Sequence, residues 1–149
     1  MKRITIILIS IVSLGFSYAQ DKSVPFKKEY FKDRKDEFKI AMKDLNDGLD
    51  IYEKGEYYWK GAIYKLEKAN VFNPNNAQLN YRLGNCYLHS TEKIKSLKYF
   101  LKAYELRPTI AKDIHYKIGK GYQLNYEFDK AQEEFEIHRM KLEVSETKE

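Results

Sequence analysis

Residues 77–108 read AQLNYRLGNCYLHSTEKIKSLKYFLKAYELRP, a run of large and small residues around one polar break. Leu83 and Gly84 are followed three residues later by Tyr87, and after a polar break at His89 to Lys93 come Ser96, Phe100, Ala103 and Pro108. Large apolar residues alternate with small ones at helical spacing, the pattern of two short helices packed closely together. Gly84, Ser96 and Ala103 suit the points of closest approach, and Leu83, Tyr87 and Phe100 fill the space around them. Pro108 ends the second helix, because it has no N–H to donate and its ring clashes with the preceding turn.

The pattern recurs. Pro74 precedes Pro108 by 34 residues, and Ala62, Leu66 and Ala69 precede Ser96, Phe100 and Ala103 by the same step. Downstream, Ile118, Gly119, Tyr122, Ala131 and Phe135 repeat Leu83, Gly84, Tyr87, Ser96 and Phe100 at 35. Upstream, Gly48 and Ile51 take the roles of Gly84 and Tyr87, with two extra residues in the first turn around Lys54-Gly55-Glu56. These residues resemble a tetratricopeptide repeat (TPR), with L-G-x-x-Y in the first helix and small, aromatic, Ala and Pro through the second. Asn80 stands where that pattern usually has Trp. The resemblance implies an all-α fold of three TPR helix-turn-helix repeats, stacked as a short right-handed superhelix. It says little about function, since such arrays bind unrelated partners.

The amino end reads differently. Lys2 and Arg3 precede a 13-residue apolar run from Ile4 to Phe16, and Ser17-Tyr18-Ala19 forms a small-x-small site. This is the pattern of a secretory signal peptide over residues 1–19, leaving Gln20 as the mature terminus. The run falls short of the roughly 20 residues that span a bilayer, so no transmembrane span is expected after cleavage. No Cys follows it, which speaks against a lipoprotein.

The chain has 149 residues, a formal net charge of +5 and a sequence pI near 9.0. Loss of Lys2 and Arg3 would lower that charge to +3. Lysines and acids are interleaved, as in KKEYFKDRKDEFK, which describes a solvated mixed surface rather than a nucleic-acid footprint. The one cysteine, Cys86, has no intramolecular partner and reads as a small residue between packed helices.

Residues 20–32 read as an irregular lead-in, 33–143 as the repeat domain with repeats at about 33–74, 75–108 and 109–143, and 144–149 as a polar tail. Tyr57, Tyr58 and Trp59 lie beside the enlarged first turn and read as core that plugs it, the alternative being an exposed aromatic patch.

No catalytic or cofactor motif stands out. His89, His115 and His138 have no partner at metal-ligand spacing, and there is no G-x-S-x-G, H-E-x-x-H or phosphate loop. Asp113 and His115, two apart, fall on different helix faces. Gly119-Lys120-Gly121 reads as packing within a helix. No cofactor, metal or enzymatic activity is expected.

In TPR folds the first helix of each pair lines the concave wall where ligands lie. Carried over, this resemblance assigns a protein-binding groove to Tyr81, Asn85 and His89 of repeat two and Tyr116, Lys120 and Gln123 of repeat three. The Lys and Asn set that clamps a terminal carboxylate in chaperone-binding TPRs is incomplete, with Leu49 at the matching place in repeat one. On the last helix, Ile137 and Met140 are expected to form a contact surface for a second copy or a downstream domain.

A closer resemblance lies in YFKDRKDEFKIAMKDLNDGLDIYEKG, FNPNNAQLNYRLGNCYL, KAYELRP and DIHYKIGKGYQLNYEFDKAQEEF. These runs are similar to the opening TPR segment of exported OmpA-family proteins, which continue into a WD-type β-propeller and an OmpA-like domain. Some of these serve type IX secretion or gliding motility. Neither later domain is in this sequence, so peptidoglycan binding does not carry over. The resemblance implies a periplasmic or outer-membrane-peripheral scaffold that binds an envelope protein or peptide, and no nucleic acid. The alternatives are an accessory factor of cell-wall or Tol–Pal machinery, and a substrate-holding subunit of a separate enzyme.

Overall fold

A computed structural model describes residues 21–146. The expected signal peptide and its cleavage site lie outside these residues, as do 147–149. Six α-helices follow one another: α1 (Lys35–Tyr52), α2 (Trp59–Phe72), α3 (Ala77–Leu88), α4 (Ser96–Leu106), α5 (Ile114–Leu124) and α6 (Phe128–Glu146). Short 3-10 turns at Lys28–Tyr30, Glu56–Tyr58 and Lys93–Lys95 complete the regular structure, and no strand occurs among the described residues. The densest packing is within the pairs α1/α2, α3/α4 and α5/α6, and the next is α2 on α3 and α4 on α5. The described residues thus form a row of three helix hairpins, each leaning on the one before.

The small residues set the approach within each pair. A Cβ built on Gly48 would lie 2.6 Å from Leu66, one on Gly84 2.5 Å from Phe100, and one on Gly119 2.6 Å from Phe135. Each glycine lets the large side chain of the second helix lie against bare backbone of the first. Gly121 does the same between hairpins, with its Cβ position 3.0 Å from the Cα of Leu97. Two apolar clusters result. One gathers Leu45, Leu66, Leu79, Leu83 and Tyr87, and the other Leu97, Phe100, Ile114 and Ile118.

Polar residues hold the loops. Asn76 caps α3, its side chain accepting from the Leu79 N–H at 2.8 Å. Asn80, where the repeat pattern has Trp, is buried, and its amide donates to the carbonyls of Pro74 and Asn76 at 2.8 Å each. Cys86 is free and buried, and burial pushes its thiol up to about 12.

The lead-in has irregular backbone apart from the Lys28–Tyr30 turn, yet it is packed. Val24 accepts at its carbonyl from the amides of Asn73 and Asn76 at 2.9 Å each, and Asp21 takes a hydrogen bond from Arg107 at 2.8 Å. Phe31 meets Phe72 at a ring separation of 4.7 Å and stacks on Phe38 at 5.6 Å. The aromatic cluster beside the first turn divides. Trp59 stacks on Tyr52 at 4.8 Å and donates Nε1–H to its carbonyl at 2.8 Å, which plugs the turn as expected. Tyr57, 91% exposed, and Tyr58 point to water instead. At the far end α6 runs on to Glu146, into the stretch expected as a polar tail.

Candidate functional site

Of the six residues assigned to the groove, those on α3 are taken up in joining hairpins. Tyr81 donates its hydroxyl to Asp113 at 2.7 Å, reaching to the residue before α5. Burial first, and the Asp113 carboxylate second, push the Tyr81 pKa well up. Asn85 is only 3% exposed and donates to the Tyr52 hydroxyl at 3.1 Å, reaching back to α1. Its Oδ1 is buried without a hydrogen-bond partner. His89 lies at the end of α3 with its ring edge on Trp59 at 5.0 Å and Nδ1 3.7 Å from Glu56. These three side chains link α1, α3 and the approach to α5, so little of Tyr81 and Asn85 is left to meet a ligand.

The α5 residues behave otherwise. Tyr116 is 43% exposed, and with Lys120 and Gln123 it lines one wall of a hollow of about 400 Å³. The other wall is α6, with Phe135, His138 and Arg139. The Tyr116 ring lies 5.8 Å from Phe135 and 5.7 Å from His138. Lys120 donates to Gln123 Oε1 at 2.9 Å. Arg139 is held by Glu136 and Glu143 on its own helix. His138 Nδ1 is buried with no hydrogen-bond partner. A second hollow, along Phe128, Gln132 and Glu136, adjoins the first through Gln123, Phe135 and Arg139.

Ile137 is half-buried and Met140 exposed, and neither lines these hollows. Thirty-five residues earlier their register positions hold Lys102 and Glu105, an exposed ion pair at 3.0 Å. Phe135, His138 and Arg139 do line the α5/α6 surface; the repeat marks Phe135, and the other two carry no sequence signal beyond their helical spacing.

His115 is 3% exposed. Lys141 Nζ donates to its Nε2 at 2.7 Å, and Nδ1 lies 2.7 Å from Glu134 Oε2. An ammonium can only donate, so this geometry makes Nε2 the acceptor and turns Nδ1 to the Glu134 carboxylate. Both ring nitrogens are occupied, which ties α6 to α5. Among the described residues no cluster of three His, Cys, Asp or Glu side chains could hold a metal ion. No described helix is long and apolar enough to cross a membrane.

Against protein-family models, curated proteins and solved structures, the chain finds no match.

Proposed function

We propose that this chain is an exported scaffold of the tetratricopeptide type that binds another protein of the cell envelope. Its three helix-turn-helix units would form a short right-handed superhelix in the periplasm or at the outer-membrane periphery. There it would serve secretion or motility machinery. The observation that carries the reading is the glycine-on-large-side-chain crossing at Gly48/Leu66, Gly84/Phe100 and Gly119/Phe135, with the glycines spaced 36 and 35 residues apart. Recurrence of one crossing at a near-constant step is what a stacked helical repeat requires. The open surface of α5 and α6 supports a binding role, since it presents rings and cations in a concave hollow rather than a nucleophile beside a base.

The test has two arms. Mass spectrometry of the protein from envelope fractions is expected to show Gln20 at the amino terminus; a retained Met1 would overturn export with cleavage. Cross-linking in the envelope is expected to join the chain to a secretion or motility protein. Capture of cell-wall synthases, or of one hydrolase alone, would favour the other readings of the same fold.

A further inference from the structure

Each hairpin offers one face to the helix that follows it, and the stack contains two worked examples. In the first, Leu79, Leu83 and Tyr87 of α3 cluster with Leu45, Leu49, Tyr52 and Leu66 of the hairpin before. In the second, Ile114, Ile118 and Tyr122 of α5 cluster with Tyr81, Leu88, Leu97 and Phe100. In both, the covering helix presents large aliphatic residues at i and i+4 and a tyrosine at i+8.

The same face recurs on the third hairpin. Tyr116, Gln123, Gln132 and Phe135 stand 35 residues after Tyr81, Leu88, Leu97 and Phe100. Among the described residues no helix lies over them; instead they border the two hollows between α5 and α6. Polar residues in this face do not bar a helix. Glu67, the counterpart of Glu136, sits in the first covered face and accepts the hydroxyls of Tyr87 at 2.6 Å and Tyr99 at 2.8 Å. Tyr87 is the i+8 residue of its covering helix; Glu136 holds Arg139 on its own helix through both oxygens and keeps further lone pairs to accept the corresponding tyrosine of another.

We propose that the α5/α6 face binds an amphipathic helix of a partner protein, carrying Leu or Ile at i and i+4 and Tyr at i+8. This rests on the scaffold reading above. The aliphatic pair covers Tyr116 and Phe135, and the tyrosine hydroxyl donates to Glu136. An acidic residue of the partner pairs with Lys120, whose acceptor within the chain is the uncharged Gln123 oxygen. A second copy stacked head to tail does not supply such a helix. On α1 the positions of Leu79 and Leu83 are held by Lys43 and Asp47, which pair with each other at 2.9 Å. The helices that do carry the pattern, α3 and α5, bury its aliphatic pair inside the molecule.

The probe is a stapled helical peptide of residues 111–124, AKDIHYKIGKGYQL, which carries Ile114, Ile118 and Tyr122. It is titrated by fluorescence anisotropy against the full chain without residues 1–19. Saturable binding is expected, and a peptide with lysine at both isoleucine positions should not bind. Tyr116→Lys, at an exposed site, should weaken binding about tenfold, and Gln132→Leu, which restores the Leu97 side chain, should tighten it about tenfold. The gain-of-function variant separates a lost surface from a lost fold. No saturable binding by either the parent or Gln132→Leu overturns the proposal. So does binding indifferent to both substitutions. Self-association in analytical ultracentrifugation that Tyr116→Lys abolishes assigns the face to a second copy and also overturns it. An envelope cross-link that survives Tyr116→Lys overturns this inference but leaves the scaffold reading standing, whereas the absence of any envelope cross-link removes that reading.

Discussion

The ring of Phe100 occupies the space that a side chain at Gly84 would need: a Cβ there would sit 2.5 Å from two ring carbons. Phe100 is fully buried, so the ring has no free volume to retreat into. Gly84→Leu is expected to destabilise the protein by about 1–3 kcal/mol or more, the typical cost of overpacking. Gly61 supplies the contrast, since its nearest neighbour would lie 3.6 Å away, an ordinary contact. Gly61→Ala should stabilise by about 0.5–1 kcal/mol through helix propensity. Urea denaturation of both variants checks the pair; a Gly84→Leu midpoint equal to the parent's would mean the crossing is looser than described.

Alkaline pH should unfold the protein through its buried tyrosines. Burial first and the Glu67 carboxylate second raise the pKa of Tyr87 and of Tyr99 above the ordinary 10.0, and burial with Asp113 does so for Tyr81. A phenol whose folded value is raised holds its proton where the unfolded chain has lost it. Its contribution is intact below the unfolded value, about pH 10, and is lost as pH rises above it. Stability is expected to fall steeply above pH 10, with the tyrosinate absorbance of these residues appearing together with unfolding. The double variant Tyr87→Phe, Tyr99→Phe should lose stability less steeply over that range. An unchanged slope would show that these hydroxyls titrate freely in the folded state.

The lead-in should behave as part of the folded unit. Phe31 lies between Phe38 and Phe72, and the carbonyl of Val24 takes two asparagine amides. Phe31→Ala is expected to cost about 2 kcal/mol, below the range for a fully buried ring because Phe31 is half-buried. Asp21→Asn should change little, because its pairing with Arg107 is exposed. Hydrogen exchange offers a second check: the Val24 N–H, bonded to the Asn75 carbonyl at 2.7 Å, should be protected.

Tyr126 holds a left-handed backbone at φ 62 in the turn between α5 and α6, and its ring is 82% exposed. The first turn meets the same demand with Gly55 at φ 103. Tyr126→Gly should therefore raise stability by about 1 kcal/mol, the typical relief of a non-glycine residue from this region. Among the described residues, the ring contact given up is with Phe128, at 6.2 Å. A melting temperature below the parent's would mean that contact outweighs the backbone strain.

Much of the architecture is written in short-range pattern. The glycines at 48, 84 and 119, their large partners 16 to 18 residues later, and the prolines at 74 and 108 specify six helices and their pairing. That holds because a helix hairpin is a local object: its contacts span one turn of chain, and period and size alone say which side chains meet. Which matching positions stay open depends on packing between hairpins. Tyr81 and Tyr116 occupy the same place in successive units, as do Asn85 and Lys120. One pair is bound into its neighbours through Tyr52 and Asp113, and the other faces a hollow. Helical register aims a side chain relative to its own hairpin, but its exposure depends on whether the next helix lies over it. For the same reason the lead-in was illegible. Phe26 and Phe31 follow no helical spacing, and their partner Phe72 is more than 40 residues away, so their burial depends on how the first hairpin folds back on the lead-in.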